Sequence, residues 1–380
     1  MIYLDNSAGT RPYPEVIETI TNVLTNHWGN ASADYSFGQD AKIIIDNITE
    51  QVANDINCDP AEIIWTSGAC EANSLAINGF MQRYFTKLYA SKLEHTSINK
   101  LIEQNEDFCG FIDNDKQGFI LIQSLEKELS EGYNHKNREI LVSISAANSE
   151  IGVIQDIKSI ADVVHKYNGV FHVDATQLYP WERIDVQKLG IDMMSVSGQK
   201  LHCCKGIGFL YVRDGIKLNP LIYGSQQELR RGGTYPTHLI AAFGKALEIT
   251  RERDTSNLVR EMRNKIMKCL VCINGVTFNG PISNIWRLPN NISATIDSVS
   301  AEQIVAMCDE VSNIFIAKGS ACNSYNSIPS KTLLSIGRTN EEALSTIRIT
   351  LDEFNTWDEI NYFCEIFPKI VNRLREMSVW

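Results

Sequence analysis

The stretch GVFHVDATQLYPWERIDVQKLGIDMMSVSGQK, residues 169–200, decides the fold. It opens with one short apolar run, GVFHVDA (169–175), and closes with another, DMMSVSG (192–198). Short apolar runs bounded by turn residues read as buried strands. The same pattern extends outward. EILVSISA (139–146) is a strand, DIKSIADVVHKYN (156–168) a helix, and KGIGFLYVR (205–213) the next strand. Upstream, EIIWTSG (62–68) runs into CEANSLAINGFMQRYF, which has helical periodicity, and KLYASKLEH (87–95) reads as a strand followed by a helix. Near the start, PEVIETITNVLTN (14–26) is an amphipathic helix opened by Pro14, and a second helix covers about 38–56. Short strands alternating with helices predict an α/β domain with a largely parallel sheet.

Beyond residue 236 the pattern changes. A single long helical tract is expected over roughly 236–270, rich in Arg, Lys and Glu. Strands follow at NISATID (291–297) and STIRITL (345–351), with helices near 301–309 and 356–377. The expected organisation is a large α/β domain over 13–255 and a smaller α+β domain formed by 1–12 with 256–380, the long helix bridging them. No internal repeat or low-complexity linker is evident, which argues against a modular scaffold.

Composition narrows the function. The 380 residues are 44% hydrophobic and 21% charged, with a formal net charge of −11. That acidity argues against DNA or RNA as the main partner. No run of about 18 apolar residues is present and the N-terminus does not read as a signal peptide, so a cytoplasmic protein with no membrane partner is expected. Ten cysteines in this length do not make a disulfide scaffold. Cys269 and Cys272 form one CxxC, but no second pair or suitably spaced histidines accompany it, and no metal is expected.

The chemistry sits at the strand ends, where open α/β sheets bind ligands. Asp174 in HVDATQ (172–177) ends one strand, and Lys200 in SVSGQK (195–200) follows the next. Each alone has a bland reading, a helix cap and a surface lysine. Together they match what pyridoxal phosphate requires: a lysine amine to hold its aldehyde and a buried carboxylate to keep its ring nitrogen protonated. Gln177 could hydrogen-bond the ring's phenolic oxygen. SGACEANS (67–74) sets a turn at a helix start, where the free N–H groups of Ala69 and Cys70 would grip a phosphate. Ser197 and Gln199 add polar groups beside Lys200.

With these residues in view, the chain resembles the cysteine desulfurases of the iron–sulfur-cluster type, in the class V aminotransferase group of fold-type I pyridoxal-phosphate enzymes. The resemblance runs from YLDNSAGT to TIRITLDEFNTWDEINYF, through TSGACEANS, LEHTSI, NSEIGVIQDI, HVDATQ, SGQK, KGIGFLYVR, RRGGTYPTHLI and GSACNS. It implies pyridoxal 5'-phosphate held by Lys200, with Asp174 at the ring nitrogen and Gln177 at the phenolate. It implies Ala69, Cys70, Ser197 and Gln199 at the phosphate, with Thr234 reaching the phosphate of a second subunit, hence a homodimer. His95 would cover the ring and move protons, Arg348 would pair with the carboxylate of L-cysteine, and Cys322 would receive sulfur as a persulfide. A sulfur-acceptor protein, either an iron–sulfur scaffold or a tRNA-thiolation protein, is the implied partner.

Several positions depart from the family pattern. Gln199 replaces a histidine, Cys70 a threonine, Tyr35 a histidine and Gly9 a threonine, while Cys203 and Cys204 stand for Gly-Pro. Ser149 replaces an asparagine that contacts the cofactor, although the adjacent Asn148 would serve after a small shift. The competing readings are another class V enzyme, such as a selenocysteine lyase or aminotransferase, and a degenerate partner protein that keeps the fold.

Overall fold

The computed structural model describes residues 1–133, 139–319 and 328–377. The chain begins with β1 (Ile2–Tyr3), α1 (Pro14–Asn26), α2 (Ser36–Ile56), β2 (Ile63–Thr66), α3 (Ala69–Met81), β3 (Thr86–Ser91), α4 (Thr96–Gln104) and β4 (Cys109–Ile112). It continues through α5 (Ile122–Tyr133), β5 (Glu139–Ser145), α6 (Ile157–Lys166), β6 (Val170–Asp174), α7 (Val186–Leu189), β7 (Met193–Ser197) and β8 (Gly208–Val212). The last third holds α8 (Thr237–Arg253), α9 (Ser256–Val271), β9 (Val276–Phe278), β10 (Asn291–Ile296), α10 (Ala301–Ser312), β11 (Ile314–Phe315) and β12 (Ala317–Lys318). It closes with α11 (Lys331–Ser335), α12 (Asn340–Leu344), β13 (Thr346–Thr350) and α13 (Trp357–Met377).

Among the described residues the main sheet has seven strands in the order β2-β8-β7-β6-β5-β3-β4. Only β8 runs against its neighbours. The apolar strands are covered on both faces, and their side chains divide by parity. Leu141, Met193, Leu210 and Leu88 pack with Leu75, Ile77 and Phe80 of α3. Val142, Met194, Phe209 and Tyr89 point the other way and join Val16, Val52 and Phe243 from α1, α2 and α8.

A four-stranded antiparallel sheet, β12-β13-β10-β9, forms the second part. Its core joins Ile2 and Leu4 to Val259, Ile266, Ile292, Ile304, Ile347, Phe363 and Phe367. β1 pairs with β11, which ties the first residues of the chain to the C-terminal third.

One expectation needs correction. The tract over 236–270 is not one helix: α8 ends at Arg253, Asp254 turns into the left-handed region at φ 34°, and α9 starts at Ser256. The side chains of Asp254-Thr255-Ser256 compete with the helical backbone for hydrogen bonds, and Ser256 Oγ donates to Asp254 Oδ1 at 2.8 Å. The break lets α9 pack on α13 rather than continue along the large sheet.

Candidate active site

Parallel pairing brings the C-terminal ends of β5, β6 and β7 side by side. Ser145 lies in register with Asp174, and Asp174 with Ser195. Above these ends opens a cleft of about 660 Å³. Its lining includes Ala69, Cys70, His95, Ser149, Asp174, Gln177, Ser197, Gln199, Lys200 and Arg348, so ten of the residues expected from the sequence meet in one place.

Two expected residues do not line it. Asn148 is buried beside the cleft, where its Nδ2 donates to Leu93 O at 2.8 Å and its Oδ1 accepts from the amides of Glu150 and Ile151, both at 2.9 Å. Those bonds fix the 148–152 turn and leave Ser149 as the residue facing the cleft. Thr234 is exposed and outside the lining of its own chain's cleft. Cys322 lies outside the described residues. Gly319 and Ile328, the described residues nearest to it on either side, both line the cleft.

Lys200 closes a 3₁₀ turn directly after β7, and its Nζ donates to Ala8 O at 2.9 Å. Asp174 is buried at the end of β6. Its Oδ2 accepts from Asn73 Nδ2 at 2.8 Å and its Oδ1 from the Thr176 amide at 3.0 Å. Asn73 Nδ2 also reaches Ser97 Oγ at 3.0 Å, and Ser97 Oγ lies 2.8 Å from His95 Nδ1. A hydrogen-bonded line thus connects His95 to Asp174. His95 caps α4, its Nδ1 accepting from the Ser97 amide at 3.1 Å, which leaves Nε2 to carry the proton of the neutral ring.

Arg348 is buried on β13, and its Nη2 pairs with Asp5 Oδ1 at 2.7 Å. Its Nε finds no partner among the described residues. The buried hydroxyls of Ser7 and Thr176, also in the lining, are likewise unpaired. Gln177 Nε2 donates to Ser7 O at 3.4 Å.

The α3 start forms a cradle. Gly68 (φ 146°) precedes the helix without a side-chain cap. At Gly208, just behind it, an added Cβ would come within 2.8 Å of Gly68 Cα, so the turn needs glycine there. The first-turn amides of an α-helix lack intrahelical acceptors and suit an anion. Glu71 braces the turn, accepting from the Ser67 amide at 2.8 Å and from Arg231 Nε at 2.8 Å. Burial opposes its ionisation, but the bonds from Arg231 and Ser67 hold it below the usual carboxylate range.

Sequence reasoning missed four polar residues here: Asn73, Glu94, Ser97 and His172. Asn73 and His172 are fully buried, and a polar side chain inside an otherwise apolar helix or strand was the available signal. His172 sits beneath Asp174, between Ser143 Oγ at 2.8 Å and Ser195 Oγ at 2.9 Å, and burial lowers its pKa to about 4 against the pull of Asp174. Glu94 lines the cleft and accepts from Ser91 Oγ and Ser145 Oγ, both at 2.5 Å. Burial raises its pKa to about 7 in spite of those bonds.

These shifts make opposite contributions to stability. The folded protein holds the Glu94 proton more tightly than the unfolded chain does. The contribution of Glu94 is therefore full below about pH 4.5 and is lost as pH rises through about 7. That loss is about 3 kcal/mol. The contribution of His172 is full above about pH 6.5 and is lost as pH falls through about 4. Glu94→Gln is expected to gain up to about 3 kcal/mol over wild type above pH 7. Its stability should also rise from pH 4.5 to 6.5, where the two slopes otherwise cancel. Urea unfolding across this range measures both effects, and identical profiles for variant and wild type would refute the assignment.

The donor set fits pyridoxal phosphate. A lysine amine, a carboxylate held by Asn73 and the Thr176 amide, an anion cradle and an arginine Nε–H left unpaired among the described residues all meet at one cleft. The fold and this site define a pyridoxal-phosphate enzyme. The aminotransferase class-V family model matches residues 2–363, and the chain belongs to that family. It is 34% identical over 387 residues to the cysteine desulfurase IscS of Clostridium botulinum strain Hall, covering 99% of this chain and 96% of that protein. It is 35% identical to the cysteine desulfurase IscS of Methylobacillus flagellatus, covering 99% and 94%. Among solved structures it resembles the NifS-like protein from Rickettsia africae (TM-score 0.88, 29% identity, 98% and 99% covered). It also resembles SspA in complex with cysteine (TM-score 0.80, 30% identity, 94% and 100% covered).

Proposed function

We propose that this chain is a cysteine desulfurase that converts L-cysteine to L-alanine and carries the sulfur as a persulfide on Cys322. The observation that carries the reading is the meeting of Lys200, Asp174, His95 and Arg348 in one cleft whose wall includes Gly319 and Ile328, the described residues nearest to Cys322 on either side. Full-length similarity to cysteine desulfurases supports it.

Lys200 would hold pyridoxal phosphate, with Asp174 at the ring nitrogen, Gln177 near the phenolic oxygen, and Ala69, Cys70, Ser197 and Gln199 around the phosphate. When bound, the cofactor supplies an electron sink for the substrate's α-amino carbon. Arg348 orients the α-carboxylate through its guanidinium, which Asp5 keeps in place. The Asn73 bond holds the Asp174 carboxylate in place. Lys200 and His95 move protons, Lys200 at the α-carbon and His95 through Nε2. The Cys322 thiolate attacks the substrate sulfur. The new S–S bond forms as the Cβ–S bond breaks, and the electron pair left on the β-carbon takes a proton to give the methyl group of alanine.

Thr234, exposed and outside its own chain's cleft, would complete the phosphate site of a second copy, so the enzyme acts as a homodimer. A protein with iron–sulfur-scaffold or tRNA-thiolation function receives the persulfide. No described helix is long and apolar enough to cross a membrane. The free thiols of Cys203, Cys204, Cys269 and Cys272 suit a reducing, cytoplasmic setting.

Cys322→Ala tests the reading. With L-cysteine as substrate the variant should bind cofactor as wild type does and lose alanine release and persulfide by about 10²-fold or more. An unchanged rate of alanine formation would point to a lyase or aminotransferase instead.

A further inference from the structure

The 148–152 turn does more than present Ser149 to the cleft. Its next residue, Glu150, is 7% exposed and also lines the cleft. Ser330 Oγ donates to Glu150 Oε2 at 2.6 Å, a short hydrogen bond to a carboxylate. The other oxygen, Oε1, lies so near Gly319 that a Cβ added there would stand 2.9 Å from it. Gly319 is in turn fixed from β13 by its amide, which donates to Thr346 O at 2.8 Å. One carboxylate therefore bonds to the chain at residue 330 and lies beside it at residue 319. Cys322 lies between those positions in the sequence.

Glu150 is itself held firmly. Its amide donates to Asn148 Oδ1 at 2.9 Å, and its carbonyl accepts from Asn291 Nδ2 at 3.2 Å. Asn291 Oδ1 accepts from Arg287 Nη1 at 3.1 Å. Arg287 is 1% exposed, and among the described residues it bonds to backbone carbonyls and the Asn291 side chain and to no carboxylate. Burying a guanidinium without a carboxylate is costly. Here the cation braces Asn291, and Asn291 braces the turn that carries both Ser149 and Glu150.

We propose that Glu150 is a positioning residue for sulfur transfer: its carboxylate ties Ser330 to the cofactor-facing turn and packs beside Gly319, and so sets where the chain bearing Cys322 rejoins the fold. This rests on the reading of Cys322 as the sulfur acceptor. Glu150 touches neither reacting sulfur in this account. It acts through geometry, and attack at sulfur tolerates little displacement: about 1 Å can cost 10²-fold in rate.

The test compares wild type, Glu150→Ala, Glu150→Gln and Ser330→Ala as cofactor-loaded enzymes. Two steps are read separately: the absorbance change of the bound cofactor on adding L-cysteine, and the single-turnover rate of persulfide appearance on Cys322. Glu150→Ala and Ser330→Ala should keep the cysteine-binding signal within about twofold and slow persulfide formation about 10- to 100-fold. Glu150→Gln, which can still accept from Ser330, should recover part of the rate. A purely stabilising role would lower the unfolding midpoint and leave the persulfide rate of folded enzyme unchanged, and that result overturns the proposal. Should Glu150→Ala not fold, Ser330→Ala decides, since a wild-type persulfide rate in that variant overturns it equally. If wild type itself forms no persulfide, the desulfurase reading fails and takes this inference with it. Normal transfer in both wild type and Glu150→Ala refutes the inference alone.

Discussion

Lys200→Ala is expected to abolish turnover, with alanine release from L-cysteine falling on the order of 10³-fold or more. Two functions are lost together. The amine that would hold the cofactor covalently is gone, and so is the base that moves the proton at the α-carbon. Lys200 stands at the end of a 3₁₀ turn directly after β7, which fixes where its amine enters the cleft. Lys205 lines the same cleft but follows a different segment of backbone, and the Gly206 turn after it adopts φ 94°. Cofactor should still associate through the α3 cradle and Asp174 but wash out on desalting, whereas wild type keeps its visible absorbance. The fold should be intact, because the half-buried side chain lines the cleft rather than the core. Turnover within tenfold of wild type would remove Lys200 from the mechanism.

The second large effect is expected at Arg348. Arg348→Ala should raise the KM for L-cysteine roughly 10- to 100-fold, the equivalent of losing about 1.5–3 kcal/mol of charge-assisted hydrogen bonding. The change should fall mainly on KM, because the carboxylate is bound in ground state and transition state alike. Asp5 would lose its partner in the same step, and a part-buried carboxylate then faces a site meant for an anionic substrate. Arg348→Lys should recover little, since an ammonium cannot present two parallel donors while also holding Asp5. Steady-state kinetics with L-cysteine reads the outcome. A KM unchanged in Arg348→Ala would mean that the substrate carboxylate is held elsewhere.

Much of the site could be read along the chain because strand ends are local events. The runs around 139–146, 169–175 and 192–198 announced three adjacent strands, and in a parallel sheet their C-terminal ends must open on one side. Asp174 and Lys200 follow directly from that placement, and the glycine-led start of α3 follows from its turn. The break at Asp254 was written locally as well, in Asp-Thr-Ser, but a charged helical pattern on both sides masked it.

Other features had no local trace. Asn148 and Ser149 are neighbours, and only the bonds from the Asn148 side chain to Leu93, Glu150 and Ile151 decide which of them faces the cleft. The partner of Arg348 lies 343 residues away, brought to it because β1 pairs with β11 and Asp5 bridges to Thr350. The line from His95 through Ser97 and Asn73 to Asp174 joins the starts of two helices to a strand end.

The sequence by itself determined the layered α/β architecture, the strand ends and the residue types a pyridoxal-phosphate site needs, because alternation and turn chemistry act over a few residues. Only the tertiary structure decided which side chains share hydrogen bonds, which carboxylates are desolvated enough to hold a proton near neutrality, and that Glu150 meets the chain on both sides of residues 320–327. Those properties depend on distances and burial between segments far apart in the chain, and no periodicity encodes them.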